Sequence, residues 1–225
     1  MLTDYPGIIT PLLFHMAVSE LVNIFSGGHL SSGAATALTA LIVLPVALLR
    51  YRDELRKKSD SVENGRKTEK QPTVGTALNR RIGQKQIILG VLCLFLGAAA
   101  NLLWSSCMNF MKLTDMFSNT TQENLLASAF WIQLAGLGIL VPLAEEVLFR
   151  GLMYSRMRRL IGTGPAIFFS AALFALYHGN MIQIIYAFPM ALLLCLIYEK
   201  GKSLAYPVLF HMGANLISVL LESLI

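Results

Sequence analysis

Nine residues near the middle of the chain, Pro142-Leu143-Ala144-Glu145-Glu146-Val147-Leu148-Phe149-Arg150, set two carboxylates and a guanidinium at the end of an apolar run. That run, Asn124 to Ala144, contains no charged residue. A stretch of this length reads as a transmembrane helix, where an ionisable side chain costs at least about 2 to 3 kcal/mol and normally faces a bundle interior or a wet cavity. On a helix, Glu146 and Arg150 lie four apart and can pair along one face, whereas Glu145 sits about 100° round from Glu146. The pattern therefore predicts a structural Glu146–Arg150 pair and leaves Glu145 without a local partner, free to serve as a general base. The plainer reading, three solvated charges marking a membrane boundary, fits a lone charge better than a cluster with apolar residues on both sides.

Two more polar constellations interrupt the apolar sequence that follows. One is Phe174-Ala-Leu-Tyr-His178; the other is His211-Met-Gly-Ala-Asn215, with histidine and asparagine on one helical face. At about 1.5 Å rise per residue, Glu145, His178 and His211 each come out roughly 12 to 20 Å in from the nearest loop, near the midplane of a bilayer. An intramembrane histidine or asparagine on its own is more often interhelical glue than a catalyst. One Glu, two His and an Asn converging at one depth are the parts of a water-mediated hydrolysis. A carboxylate and an imidazole can activate water, and imidazole and carboxamide N–H groups can stabilise a tetrahedral oxyanion.

The elements that must position these residues are helices in a membrane. The chain has 225 residues, 55% hydrophobic and 14% charged, with a mean hydropathy of +0.61, which indicates a polytopic membrane protein. Cys93, Cys107 and Cys195 lie in separate apolar stretches and imply neither a disulfide framework nor a thiolate metal site. Of the 18 Lys and Arg, 11 fall between Arg50 and Lys85, which reads as a cytoplasmic loop and not as a nucleic-acid-binding patch. Residues 1–26 lack a basic leader and a small-residue cleavage site, so the first span, about Pro6 to Phe25, is expected to be retained. Further spans are expected at about Ser32 to Leu49, Gln86 to Trp104 and Asn124 to Ala144, this last continuing as helix to Arg156, Arg158 and Arg159. Leu160 to Tyr198 reads as two spans joined at Gly179-Asn180, and Ser203 to Leu221 as the last. The expectation is an all-α transmembrane bundle of about seven spans with an intramembrane catalytic cavity: two N-terminal spans in 1–49, a solvated basic loop in 50–85, and the main bundle in 86–225. The basic loops put the amino terminus in the cytoplasm of what reads as a bacterial plasma membrane.

Glu145-Glu146-x-x-x-Arg150, Phe174-x-x-x-His178 and His211-x-x-x-Asn215, in that order and at those separations, resemble the three motifs of the CPBP family. These are the CAAX-protease and bacteriocin-processing (Abi) membrane proteases, among them the eukaryotic Ras-converting endoprotease. The resemblance covers about residues 124–225 and implies an intramembrane endopeptidase acting on a peptide or protein tail. Its first Glu and mid-span His, here Glu145 and His178, would activate water; His211 and Asn215 would stabilise the oxyanion; Glu146, Arg150 and Phe174 would support the site. Glu145, His178 and His211 could hold a divalent metal such as zinc; without an HExxH motif, the sequence leaves metal-dependent and metal-free glutamate mechanisms open. The expected partners are the lipid bilayer and a peptide or protein substrate taken from the cytoplasmic side. A non-catalytic immunity or scaffold protein of the same fold, or a transporter, are the competing classes. One feature lies outside the motifs: Pro11-Leu-Leu-Phe-His15-Met16 matches Pro207-Val-Leu-Phe-His211-Met212 at five of six positions, with Glu20 and Asn23 following on the same span.

Overall fold

The computed structural model describes residues 5–63, 83–117 and 120–224. Their regular structure is helical throughout: α1 (Tyr5–Ser26), α2 (Ser32–Glu63), α3 (Gln84–Phe110), the short α4 (Leu113–Met116) and α5 (Thr120–Leu126), α6 (Phe130–Ile161), α7 (Thr163–Tyr177), α8 (Met181–Gly201) and α9 (Ala205–Glu222). Among these, α1, α2, α3, α6, α8 and α9 are long and apolar enough to cross a membrane, and α7 is a shorter apolar helix. The protein is an all-α, multi-pass membrane bundle. The expected fifth span corresponds to α7, whose 15 residues reach about 22 Å, short of a hydrocarbon core of about 30 Å.

Two boundaries differ from the sequence expectation, each for a local reason. The fourth span begins at Phe130 and not at Asn124, because the chain breaks after α5. There the Gln133 side chain donates to the carbonyls of Leu126 and Ser128, and the Ser128 hydroxyl accepts the Gly33 amide at 3.1 Å. These bonds replace helical ones at the break. The second helix does not stop at Leu49 but runs to Glu63. Its Arg, Lys, Glu and Leu residues are good helix formers, and Glu54 ties the extension to α6 through Arg156 at 2.6 Å and Arg159 at 3.2 Å. The remainder of the expected basic loop, 64–82, lies outside the described residues.

Helix α6 is the axis of the bundle. In its most apolar window 61% of residues are buried, against 17 to 39% in the other spans, whose Phe25, Leu103 and Phe110 side chains stay exposed as lipid-facing groups do. Val147, Leu148, Phe149, Leu152 and Met153 of α6 pack against Val18 and Val22 of α1, Val43 and Ala47 of α2, Phe174 of α7 and Ala191 of α8. On its other side stand α3 and α9, which run parallel and cross at two glycines. A Cβ on Gly97 would collide with the Phe210 backbone, and one on Gly213 with the Leu94 backbone, so the two helices approach as closely as small residues permit.

All the basic ends meet. Arg156 donates to the Gly7 carbonyl at the start of α1 and pairs with Glu54 of α2, while Arg158 pairs with Glu199 at the end of α8, at 3.0 Å. The start of α1, the charged end of α2, the end of α6 and the α8–α9 junction thus share one end of the bundle.

Candidate active site

The glutamate segment of α6 is held between two π-helical stretches, Gln133–Leu140 and Val147–Tyr154. Such wide turns inside a helix recur at functional sites. In the first, Val141 N–H bonds back five residues to the Gly136 carbonyl. The next partner in that register would be Pro142 to Leu137, and proline has no N–H. The carbonyl this orphans is taken up by Asn215, whose amide donates to Leu137 O at 2.9 Å. Proline and asparagine are thereby one device: the first frees a carbonyl, and the second brings α9 to it.

Glu146 and Arg150 are fully buried and pair at 2.9 Å as the four-residue spacing predicts. Arg150 also donates to the Ala191 carbonyl at 3.3 Å and stands 4.4 Å over the Phe174 ring, so a buried cation is met by a carboxylate, a backbone dipole and a π-face. The pair has a further member that spacing within one helix could not reveal. His211 Nδ1 donates to the same Glu146 Oε1 at 2.9 Å, which turns Nε2 toward Glu145 Oε2 at 3.8 Å, ion-pair range but beyond a hydrogen bond. Glu145, 8% exposed, has no closer charged partner in the described residues.

His178 caps the end of α7. Its Nδ1–H donates to the Phe174 carbonyl at 2.8 Å, a bond that fixes the tautomer and leaves Nε2 as the free acceptor. The following turn is made at Gly179, whose φ of 76° suits a residue without a Cβ, and Asn180 caps α8 by accepting the Gln183 amide at 2.9 Å. The break expected at Gly179-Asn180 is where the chain reverses.

Glu145, His178, His211 and Asn215 all line one cavity of about 630 Å³, together with Phe174 and Tyr177. Two residues join this neighbourhood from outside the motifs. Asn101 of α3 is buried, donates to the Ala214 carbonyl and to Ser218 Oγ at 2.6 Å, and lines the cavity; its only sequence signal was an amide inside an apolar span. His15 is buried behind the wall, sharing a 2.6 Å hydrogen bond with Tyr177 OH, while Met16, Ser19 and Glu20 of the same helix reach the cavity. The echo of the His211 segment in α1 thus places a third histidine beside the site without making it a lining residue.

The fit to a metal is poor as the side chains stand. Among the described residues no three His, Cys, Asp or Glu groups come together as a metal-holding cluster. His178 and His211 each give Nδ1–H to a protein acceptor and keep Nε2 free, as ligating imidazoles do, so what the site lacks is the convergence of three such groups and not the donor atoms.

Residues 127–217 match the family described as Rce1-like, type II CAAX prenyl endopeptidase Rce1-like. A 124-residue stretch is 27% identical to the UPF0177 protein YajF of Lactococcus lactis subsp. lactis (strain IL1403), covering 54% of this chain and 60% of that protein. The chain therefore spans less than two thirds of that relative's length. No solved structure matches. The matched region holds every motif residue, from Glu145 on α6 to Asn215 on α9, and over it the chain is similar to the Rce1-like family of type II CAAX prenyl endopeptidases.

Proposed function

We propose that this chain is an intramembrane endopeptidase that hydrolyses a peptide bond in a peptide or protein tail, using Glu145 and His178 to activate water and His211 and Asn215 to stabilise the oxyanion. The observation that carries the reading is the shared cavity, into which three helices bring a carboxylate, two imidazoles and a carboxamide. Water held between Glu145 and the free Nε2 of His178 gives a proton to Glu145 as its oxygen adds to the scissile carbonyl carbon. His211 is orientated by Glu146, and its Nε2 faces Glu145. It donates to the oxyanion once it has received that proton, and then delivers the proton to the leaving nitrogen as the C–N bond breaks. Asn215 spends one N–H on Leu137 and offers the other to the oxyanion. Arg150 and Phe174 keep Glu146 in place.

The test is digestion of a peptide library by the detergent-purified chain, read by mass spectrometry beside Glu145→Gln. Products that appear with the wild type and vanish with the variant support the reading. An intact library with both would instead leave the non-catalytic scaffold class.

A further inference from the structure

Substrate access is set by where the bundle is incomplete. His178 stands 15 residues beyond Thr163, and Glu145 stands 16 before Ile161, so each lies about 23 Å from the arginine end at 1.5 Å per residue. The α7–α8 hairpin turns back at that level and does not fill the far half of the bundle. The cavity continues there. Beyond Asn215 its wall carries Ser218 of α9, then Asn101, Ser105 and Asn109, spaced every four residues along one face of α3, and finally Thr114 and Gln122 in the α3–α6 connection. This is a ladder of uncharged donors and acceptors running away from Arg156, Arg158 and Arg159. Its inner rungs, Asn101, Ser105 and Ser218, are hydrogen-bonded to one another and to the Ala214 carbonyl, which keeps that wall polar and in place, and it leads past Asn109 and Thr114 to the end without the basic loops.

The lining has a charge bias. Among the described residues lining the cavity no Lys or Arg occurs, and besides the two histidines the charged groups are Glu145 and Glu20. Glu20 is an exposed carboxylate inside a membrane-spanning helix with no hydrogen bond or ion pair among the described residues, and an ionisable group in that position is costly to keep without a task. The Gly7 carbonyl meets Arg156, which sets the register of α1 against α6. Counted from there, Glu20 is 13 residues in and Glu145 is 11, so Glu20 lies about 3 Å, roughly half a helical turn, further toward the open end.

We propose that substrate reaches the site from the end of the bundle opposite the arginine cluster, the non-cytoplasmic side by the basic-loop bias, and that Glu20 binds a cationic group of the incoming peptide. This replaces the cytoplasmic access expected from sequence, and it rests on the endopeptidase reading.

Binding is measured in the Glu145→Gln background, so that it is read without turnover. The probes are two fluorescein-labelled peptides of one neutral sequence, carrying a single Lys or a single Glu. The Lys peptide should bind more tightly, Glu20→Gln should erode that preference roughly five- to tenfold, and Glu20→Lys should reverse it. Equal affinities, or a preference untouched by both substitutions, would overturn the role of Glu20, as would binding of neither peptide. Access is measured with Asn109→Cys in a chain whose Cys93, Cys107 and Cys195 are replaced by Ala, in sealed right-side-out membrane vesicles. A membrane-impermeant maleimide should modify it from outside and block peptide binding. Modification only after the vesicles are opened would overturn the access route. Glu20-dependent binding of peptides that wild-type protein never cleaves would sink the endopeptidase reading and leave the recognition proposal standing.

Discussion

The two adjacent glutamates have different neighbours, and the difference predicts different failures. Glu146 Oε1 accepts from both Arg150 and His211, so Glu146→Gln strands a fully buried guanidinium and releases the imidazole. Breaking a buried pair from one side costs about 3 to 5 kcal/mol, and the melting temperature in detergent should fall accordingly. Because His211 loses its orientation as well, turnover per folded molecule should also fall. If the folded fraction kept full activity, Glu146 would have no part in positioning His211. Four-residue spacing made the Glu146–Arg150 pair legible in the sequence, since both partners sit on one helix. The His211 bond to Glu146 spans 65 residues and depends on how α9 packs against α6, which no local pattern encodes.

At the scale of the helix, the Pro142–Asn215 device can be taken apart by a double-mutant cycle. Asn215→Ala leaves the Leu137 carbonyl without its donor, at a cost of about 1 to 3 kcal/mol. Pro142→Ala supplies a backbone N–H to the carbonyls that proline leaves unpaired, so the cost of Asn215→Ala should shrink in that background while the loss of turnover remains. Equal stability costs in both backgrounds would show that Asn215 does not serve the orphaned carbonyl. A second prediction concerns the α3–α9 crossing. Gly97→Ala puts a methyl group against the Phe210 backbone, which cannot rotate away, and overpacking of this kind costs about 1 to 3 kcal/mol or more. Its melting temperature should drop further than that of Gly164→Ala, where a Cβ meets nothing within 4 Å; similar drops would mean the helices can separate freely. Apolar length and the Gly179-Asn180 break were readable in advance because composition alone encodes them. The π-helical turns were not, since they arise from packing and from one missing proline N–H. The late start of α6 was hidden for a similar reason: Gln133 and Ser128 satisfy the break from inside an unbroken apolar run.

For the whole molecule, the described basic clusters at one end of the bundle predict one sidedness. With the native cysteines replaced, Arg158→Cys should react with a membrane-impermeant reagent only from the cytoplasmic side, and Thr114→Cys only from the other; the opposite pattern would invert the bundle and move the open end of the cavity to the cytoplasm. The proposed hydrolysis inside the cavity turns on Glu145. Glu145→Gln is nearly isosteric, breaks no hydrogen bond among the described residues, and removes the carboxylate proposed to take the proton from water. The measurement is a single-turnover cleavage rate beside a melting temperature for wild type and Glu145→Gln in the same detergent. The melting temperature should stay unchanged while the rate falls by a factor of about 10² to 10⁴. A folded Glu145→Gln that cleaves at the wild-type rate would contradict the proposed role of Glu145.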